Sequence, residues 1–148
     1  MPDLTAIRKI SQQRASELRL AYAGALLPAE AYALMQAGAK LVDVRTKAEL
    51  EWVGKVPESI PIEWNSWPGS VSNSAFMDQL GTAVDKGTPV MFLCRSGVRS
   101  HNAATAAAQA GYREAYNVLQ GFEGDKDPEG HRNTLGGWRI AGLPWLQS

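Results

Sequence analysis

Short apolar runs recur along the chain and predict buried strands. Residues 40–45 and residues 89–93 are rich in β-branched or large apolar side chains and are bounded by turn residues, which is typical of strands buried on both faces. A further short strand is predicted to end at Val118 and Leu119. A proline-rich loop over residues 56–67 holds at most a short strand near residues 60–63.

Between these runs the apolar positions change to helical spacing. One helix is predicted from Pro28 to just before Gly38, and a second follows Thr46, which forms a capping box with Glu49. A third helix opens at residue 73 or 74, and an alanine-rich helix covers residues 101–110. Strands separated by helices imply parallel crossovers. The predicted fold is therefore α/β, with an open, mostly parallel central sheet and helices on both faces.

The start of the chain carries a separate pattern. Leu4, Ile7, Ile10 and Leu18 stand on a polar background, which predicts an amphipathic helix that packs on the domain or on a partner. A frayed terminal extension is the alternative. We therefore divide the chain into an N-terminal helical extension, residues 1–24, and one domain, residues 25–148. A homodimer formed through this helix is one expectation, although so few apolar residues do not decide it.

Composition narrows the class of protein. The chain has 148 residues, with 15 basic and 15 acidic side chains and no dense basic run, which argues against nucleic acid as a partner. No apolar run approaches the roughly 18 residues of a membrane span, and no secretory signal is apparent. We therefore expect a cytoplasmic protein with no membrane partner. The single cysteine excludes an intramolecular disulfide and a Cys-rich zinc cluster, and suits a reducing compartment.

That cysteine, Cys94, follows the most hydrophobic predicted strand and precedes a glycine-containing loop and a helix. Ligands of open α/β sheets bind at this edge. A lone cysteine is often a small buried apolar residue, but Arg95 and Arg99 lie within five residues of the sulfur. The two cations and the helix N-terminus favour the thiolate over the thiol. Gly97 lets successive backbone N–H groups converge, so the loop predicts a nucleophile inside an anion-binding cradle.

The spacing separates two chemistries that use such a cradle. A cysteine phosphatase or an arsenate reductase needs five residues between its cysteine and arginine, because the loop must wrap a tetrahedral oxyanion. Here four residues lie between Cys94 and Arg99, and Ser100 occupies the position that would need arginine. The smaller cradle suits a persulfide on Cys94, whose terminal sulfur would accept the converging N–H groups.

The sequence resembles a single-domain rhodanese, a member of a sulfurtransferase family, from about Pro28 to Trp145. The resemblance rests on the Cys94–Ser100 loop, on Asp43-Val44-Arg45 followed by Glu49, and on residues 118–124 with their Gly121-Phe122 pair. Residues 54–59 depart from the family pattern Gly-His-Ile-Pro-Gly-Ala, with lysine, glutamate and serine at positions 55, 58 and 59. This departure puts loop packing in doubt rather than the chemistry.

The resemblance implies transfer of sulfane sulfur from a donor such as thiosulfate to cyanide or a thiol through a Cys94 persulfide. Cys94 is the expected catalytic residue. The remaining loop residues are the expected substrate-binding residues: Arg95, Ser96, Gly97, Val98, Arg99 and Ser100. The two arginines would hold the donor, and the loop N–H groups would stabilise the persulfide.

Several alternatives remain open on the sequence. Arg99 could instead be structural, with its guanidinium turned to loop carbonyls or to a carboxylate, and Asp43 and Arg45 are expected to form a structural ion pair. His101 and His131 are expected at exposed positions, and no metal or cofactor is expected. The competing functions are a cysteine-based phosphatase or arsenate reductase, and a non-catalytic persulfide carrier or interaction module.

Overall fold

The computed structural model describes residues 3–147, which form a parallel sheet flanked by helices. The helices are α1 (Leu4–Glu17), α2 (Pro28–Gln36), α3 (Lys47–Trp52), α4 (Phe76–Ala83) and α5 (Val98–Gln109). The strands are β1 (Gly24–Leu26), β2 (Lys40–Asp43), β3 (Ile60–Pro61), β4 (Asn65–Ser66), β5 (Val71–Ser72), β6 (Val90–Leu93) and β7 (Ala115–Val118).

Five strands pair in the order β1-β7-β6-β2-β3, and every neighbouring pair in this sheet is parallel. β4 and β5 form a separate antiparallel pair. The register places Val42 beside Phe92 on the two central strands. The predicted α/β class with a mostly parallel sheet is confirmed.

Apolar side chains cover both faces of the sheet because successive residues of a strand point to opposite sides. In β6, Phe92 belongs to the core cluster that includes Leu80 of α4 and Ala104 of α5. Met91 and Leu93 belong to the opposite cluster with Leu34 of α2. The uninterrupted apolar run of β6 therefore reflects burial on two faces, as its sequence predicts.

Local sequence signals predict most helices and strands, and three elements differ from the prediction. The Thr46 hydroxyl caps α3 by accepting the N–H of Glu49 at 3.2 Å, as the capping box predicts. α5 begins at Val98, three residues before the predicted start, because Gly97 takes the N-cap position with φ of 115°. α4 begins at Phe76, because the Asn73 side chain accepts the N–H of Ala75 and shapes the preceding turn. β1 was not predicted, since three residues are too few to show a period.

The predicted N-terminal helix is present as α1 and packs on the domain, where Leu4 and Ile7 lie partly buried against one core cluster. Ser11 and Ala15 are buried, whereas Ile10 is 44% exposed and Leu18 is 61% exposed. The helix lies close to β1, where a Cβ atom at Gly24 would stand 2.5 Å from Ser11 Oγ. Small residues on both sides thus set this contact. The proposed boundary between residues 24 and 25 and the expected homodimer stay predictions.

No helix within residues 3–147 has the length and apolar character needed to cross a membrane.

Candidate active site

Cys94 follows the central strand β6 and lies at the carboxyl edge of the sheet, between the ends of β7 and β2. Only 1% of its surface is exposed. Its carbonyl accepts the N–H of Phe122 at 2.8 Å, which anchors the start of the loop to the segment after β7. The thiol is therefore fixed at the edge where open α/β sheets bind ligands.

The loop after Cys94 directs a backbone donor at the sulfur. The N–H of Gly97 donates to Cys94 Sγ at 3.0 Å. This contact needs the left-handed backbone of Gly97, with φ of 115°, which residues with a Cβ atom rarely adopt. Gly97 is also the N-cap of α5, so the sulfur lies at the positive end of a 12-residue helix. The N–H of Gly97 thus points at the sulfur as predicted, while anion binding by the loop stays a prediction.

Two buried side chains complete the surroundings of the sulfur. Ser100 Oγ lies 3.3 Å from Cys94 Sγ and donates a hydrogen bond to Asn117 Oδ1 at 2.6 Å. The Asn117 amide donates in turn to the Gly97 carbonyl at 3.3 Å. Asn117 thereby ties Gly97 and Ser100 to β7. Sequence reasoning missed Asn117, although a lone polar residue inside the apolar β7 run was a signal that could have identified it.

The two arginines of the loop have different environments. Arg99 forms a bidentate ion pair with Glu49 of α3, with N···O distances of 2.6 and 2.9 Å. This is the alternative in which Arg99 turns to a carboxylate. Arg95 is an exposed residue of the loop, and its carbonyl accepts the N–H of Glu123 at 3.0 Å. Its expected role in binding the donor stays a prediction, as do those of Ser96 and Val98.

The ion pair between Arg99 and Glu49 shifts the pKa values of both residues. Burial alone would raise the pKa of Glu49, but the hydrogen bonds and charge of Arg99, with further bonds from Thr46, lower it from 4.5 to about 2. Burial alone would lower the pKa of Arg99, while Glu49 and the Cys94 sulfur raise it. Both groups therefore stay charged at neutral pH and form a fixed ion pair beside the active-site loop.

Asp43 and Arg45 form a fully buried ion pair, as expected. Arg45 Nη2 lies 2.7 Å from Asp43 Oδ2 and also donates to the Gly54 carbonyl at 2.8 Å. The guanidinium stacks 4.2 Å from the centre of the Phe122 ring. The pair connects the end of β2 to the Gly54 turn and, through Phe122, to the segment that anchors Cys94.

Neither histidine side chain hydrogen-bonds to Cys94. His101 is half-buried rather than exposed, because its Nδ1 lies 2.8 Å from the Tyr22 hydroxyl. Burial raises the pKa of that tyrosine, and a hydrogen bond with Asn117 partly opposes the shift. His131 is exposed in the loop after β7, as predicted. Within the described part of the chain, no cluster of three or more His, Cys, Asp or Glu residues could hold a metal ion.

Comparison with known proteins identifies the group to which this architecture belongs. The family model described as Rhodanese-like domain matches residues 27–127, which include β6, the Cys94 loop and the segment after β7. The chain belongs to the rhodanese-like domain family.

Two relatives and one solved structure resemble this chain over most of its length. An uncharacterized protein of Rickettsia prowazekii is 34% identical over 114 residues, which cover 76% of this chain and 86% of the relative. Thiosulfate sulfurtransferase 18 of Arabidopsis thaliana is 32% identical over 63% of this chain and 71% of its own. The crystal structure of Rv0390 from M. tuberculosis matches with a TM-score of 0.79 and 43% identity, over 86% of this chain and 99% of that one.

The structure shows how this rhodanese domain accommodates the unusual residues after α3. Lys55 pairs with Leu146 through two backbone hydrogen bonds of 2.8 Å. Glu58 has a φ of 68°, in the left-handed region that the glycine of the family pattern adopts freely. The Ser59 hydroxyl donates to the Val56 carbonyl at 2.7 Å. None of these contacts involves Cys94.

Proposed function

We propose that this rhodanese-family protein is a sulfurtransferase that moves sulfane sulfur through a Cys94 persulfide. The observation that carries the proposal is the Gly97 N–H directed at Cys94 Sγ, at 3.0 Å, at the start of α5. A donor in this position stabilises negative charge on sulfur, both on the attacking thiolate and on a persulfide bound in its place.

The first step loads the enzyme. The Cys94 thiolate attacks the outer sulfur of thiosulfate and forms a new S–S bond, while the original S–S bond breaks and sulfite leaves with its electron pair. In the second step an acceptor thiolate or cyanide attacks the terminal sulfur, and the Cys94 thiolate leaves. Arg95, an exposed residue of the loop, would attract the donor anion. The ion pair with Glu49 fixes Arg99 beside the loop and offsets its charge.

The loop geometry favours sulfur transfer over the phosphatase or arsenate reductase reactions. Those reactions need a guanidinium where this chain has Ser100, whose hydroxyl is bound to Asn117. Arg99, one position earlier, is engaged by Glu49. Neither residue offers the arginine fork that a tetrahedral oxyanion needs at that position. We further propose a cytoplasmic location, because the single cysteine must remain reduced to act as the nucleophile.

Intact-mass spectrometry after incubation with thiosulfate tests this proposal. We expect an adduct of about 32 Da, the mass of one sulfur atom, which cyanide removes as thiocyanate. Cys94→Ser should form no adduct. Circular dichroism of that variant should match the wild type, so that loss of the adduct is not a consequence of unfolding.

Turnover and loading rates separate a free enzyme from a persulfide carrier. Fast turnover with thiosulfate and cyanide supports the enzyme. Slow turnover, combined with rapid loading from the persulfide of a cysteine desulfurase, would indicate a carrier instead. A folded wild-type protein that gains no sulfur from thiosulfate, polysulfide or a persulfide donor would contradict both.

A further inference from the structure

A cavity of about 580 Å³ opens beside the Cys94 loop. It lies between α3 and the segment after β7, and Arg95 of the active-site loop and Glu49 of the Arg99 pair both line it. The cavity therefore lies beside the active-site loop and beside the Arg99–Glu49 pair. Its volume is within the range of pockets that hold organic ligands, and it exceeds what a small inorganic oxyanion would fill.

The wall of this cavity is cationic, although the chain has no net charge. Arg95, Lys126 and Arg132 all line it. Two carboxylates line it as well, but that of Glu49 is neutralised by its bidentate pair with Arg99. Three basic groups thus face the one remaining carboxylate of the lining, that of Glu123, and the imbalance favours an anionic ligand.

The segment that carries two of these cations is held in place by its own hydrogen bonds. Asp127 accepts the N–H groups of Glu129 at 3.0 Å and His131 at 2.8 Å. The Thr134 hydroxyl donates to the same carboxylate at 2.9 Å. Arg132 Nη1 donates to the Gly124 carbonyl at 2.8 Å. A wall fixed in this way loses little conformational entropy when a ligand binds.

From the size, charge and position of this cavity, we propose that it binds the sulfur acceptor, and that the acceptor is an organic thiol carrying carboxylate groups. The inference rests on the sulfurtransferase function proposed above. Arg95, Lys126 and Arg132 would hold the carboxylates while the acceptor thiolate attacks the terminal sulfur of the Cys94 persulfide. A new S–S bond forms on the acceptor, the Cys94–sulfur bond breaks, and its electron pair returns to the Cys94 thiolate. The acceptor thiol loses its proton to solvent.

Acceptor selectivity of a charge-reversal variant tests the inference. Protein loaded with sulfur is mixed with 2-mercaptosuccinate, which carries two carboxylates, or with neutral 2-mercaptoethanol, and kcat/KM is measured for each. In Lys126→Glu the ratio of the two values should fall by roughly three- to tenfold, as expected for a partly screened charge. Comparing ratios removes differences in the intrinsic reactivity of the two thiols.

Lys86→Glu is the matched control, because it makes the same charge change at an exposed residue ahead of β6, at the opposite edge of the sheet. It should keep the wild-type ratio. Raising the salt to 1 M, where the Debye length is about 3 Å, should lower the ratio in wild type more than in Lys126→Glu. An unchanged ratio in Lys126→Glu, or an equal fall in Lys86→Glu, would overturn the proposed site.

A binding measurement keeps this inference separate from the proposed activity. If no donor loads Cys94, the sulfurtransferase proposal fails, yet the cavity can still be tested with succinate, which lacks a thiol. Succinate should shift the backbone amide signals of Lys126 and Gly130 in the NMR spectrum of the wild type, and the shifts should be lost in Lys126→Glu. Absence of these shifts in the wild type would refute the anion site itself.

Discussion

The chemistry of individual residues at this site depends on their hydrogen-bond partners. Ser100 has one hydroxyl proton, which it donates to Asn117 at 2.6 Å, while its oxygen lies 3.3 Å from Cys94 Sγ. The Gly97 N–H also points at the sulfur. A hydroxyl oxygen and a backbone N–H therefore both lie within hydrogen-bond distance of Cys94 Sγ.

Glu49 is the residue whose charge we expect to contribute most to stability. Its pKa falls from 4.5 to about 2 on folding, so the stability it contributes is present above pH 4.5 and is lost as the pH falls towards 2. At pH 7 the free energy of unfolding of Glu49→Gln should be about 2 kcal/mol lower than that of the wild type, because Arg99 loses its partner.

Urea denaturation across a pH series measures this effect. The gap between wild type and Glu49→Gln should narrow between about pH 5 and pH 2, as the wild-type carboxylate takes up its proton. Glu51→Gln, an exposed glutamate on the same helix, should differ little from wild type at any pH. A gap that stays constant with pH would show that the Glu49 carboxylate is not held in a charged pair.

Among the elements, the segment after β7 determines where the active-site loop lies. The N–H groups of Phe122 and Glu123 donate to the carbonyls of Cys94 and Arg95 at 2.8 and 3.0 Å. Gly121, with φ of 64°, allows this close approach, since a Cβ atom there would stand 2.5 Å from the Cys94 carbonyl oxygen. The two segments are therefore packed backbone to backbone.

Gly121→Ala should displace the Cys94 loop. The added methyl group meets backbone atoms that cannot rotate away, so we expect a loss of about 3 kcal/mol in unfolding free energy and a large fall in sulfur loading. Both are measured by thermal or urea unfolding and by intact mass after thiosulfate treatment.

Gly142→Ala separates the clash from backbone strain. Gly142 has a φ of 76°, similar to that of Gly121, but a Cβ atom there would meet nothing within 4 Å. It should cost only the about 1–2 kcal/mol of the left-handed conformation and leave sulfur loading intact. Equal effects of the two substitutions would argue against the close packing at Gly121.

At the scale of the whole molecule, α1 covers the edge of the sheet that β1 forms. In β1 the Leu26 carbonyl accepts the N–H of Leu119 beside β7, so the carbonyl of Ala25 points away from the sheet. Arg14 of α1 donates to that carbonyl at 2.9 Å and pairs with Glu30 of α2 at 2.6 Å. Uncovered strand edges promote aggregation, so this contact protects the sheet as well as stabilising it.

Arg14→Met should therefore destabilise the protein and promote association. It removes the Arg14 donor from the Ala25 carbonyl and from the Glu30 carboxylate, which keeps only the N–H of Leu27. This loss should cost about 1–3 kcal/mol. Lys9→Met, at an exposed position of the same helix, should be nearly neutral. Urea unfolding and light scattering near the transition temperature measure the two effects. Equal behaviour of the two variants would show that α1 does not protect β1.

Much of this protein could be predicted from local sequence patterns. The α/β class follows from the alternation of apolar runs and helices, and the start of α3 follows from Thr46 and Glu49. Cys94 could be identified because a cysteine, a glycine and two arginines stand together after an apolar strand. These features depend on a few adjacent residues, and backbone geometry and solvation act on them locally.

The remaining features depend on contacts between residues far apart in the chain, which no local pattern encodes. Arg99 meets Glu49 across 50 positions, and Ser100 meets Asn117 across 17. In α1, Leu4 and Ile7 pack on the core, but the close contact with β1 is made by Ser11 and Gly24, while Ile10 stays exposed. Sequence identifies the nucleophile and its loop, whereas the packed sheet selects each partner, because close packing allows only groups with matching shape, charge and hydrogen bonds to meet.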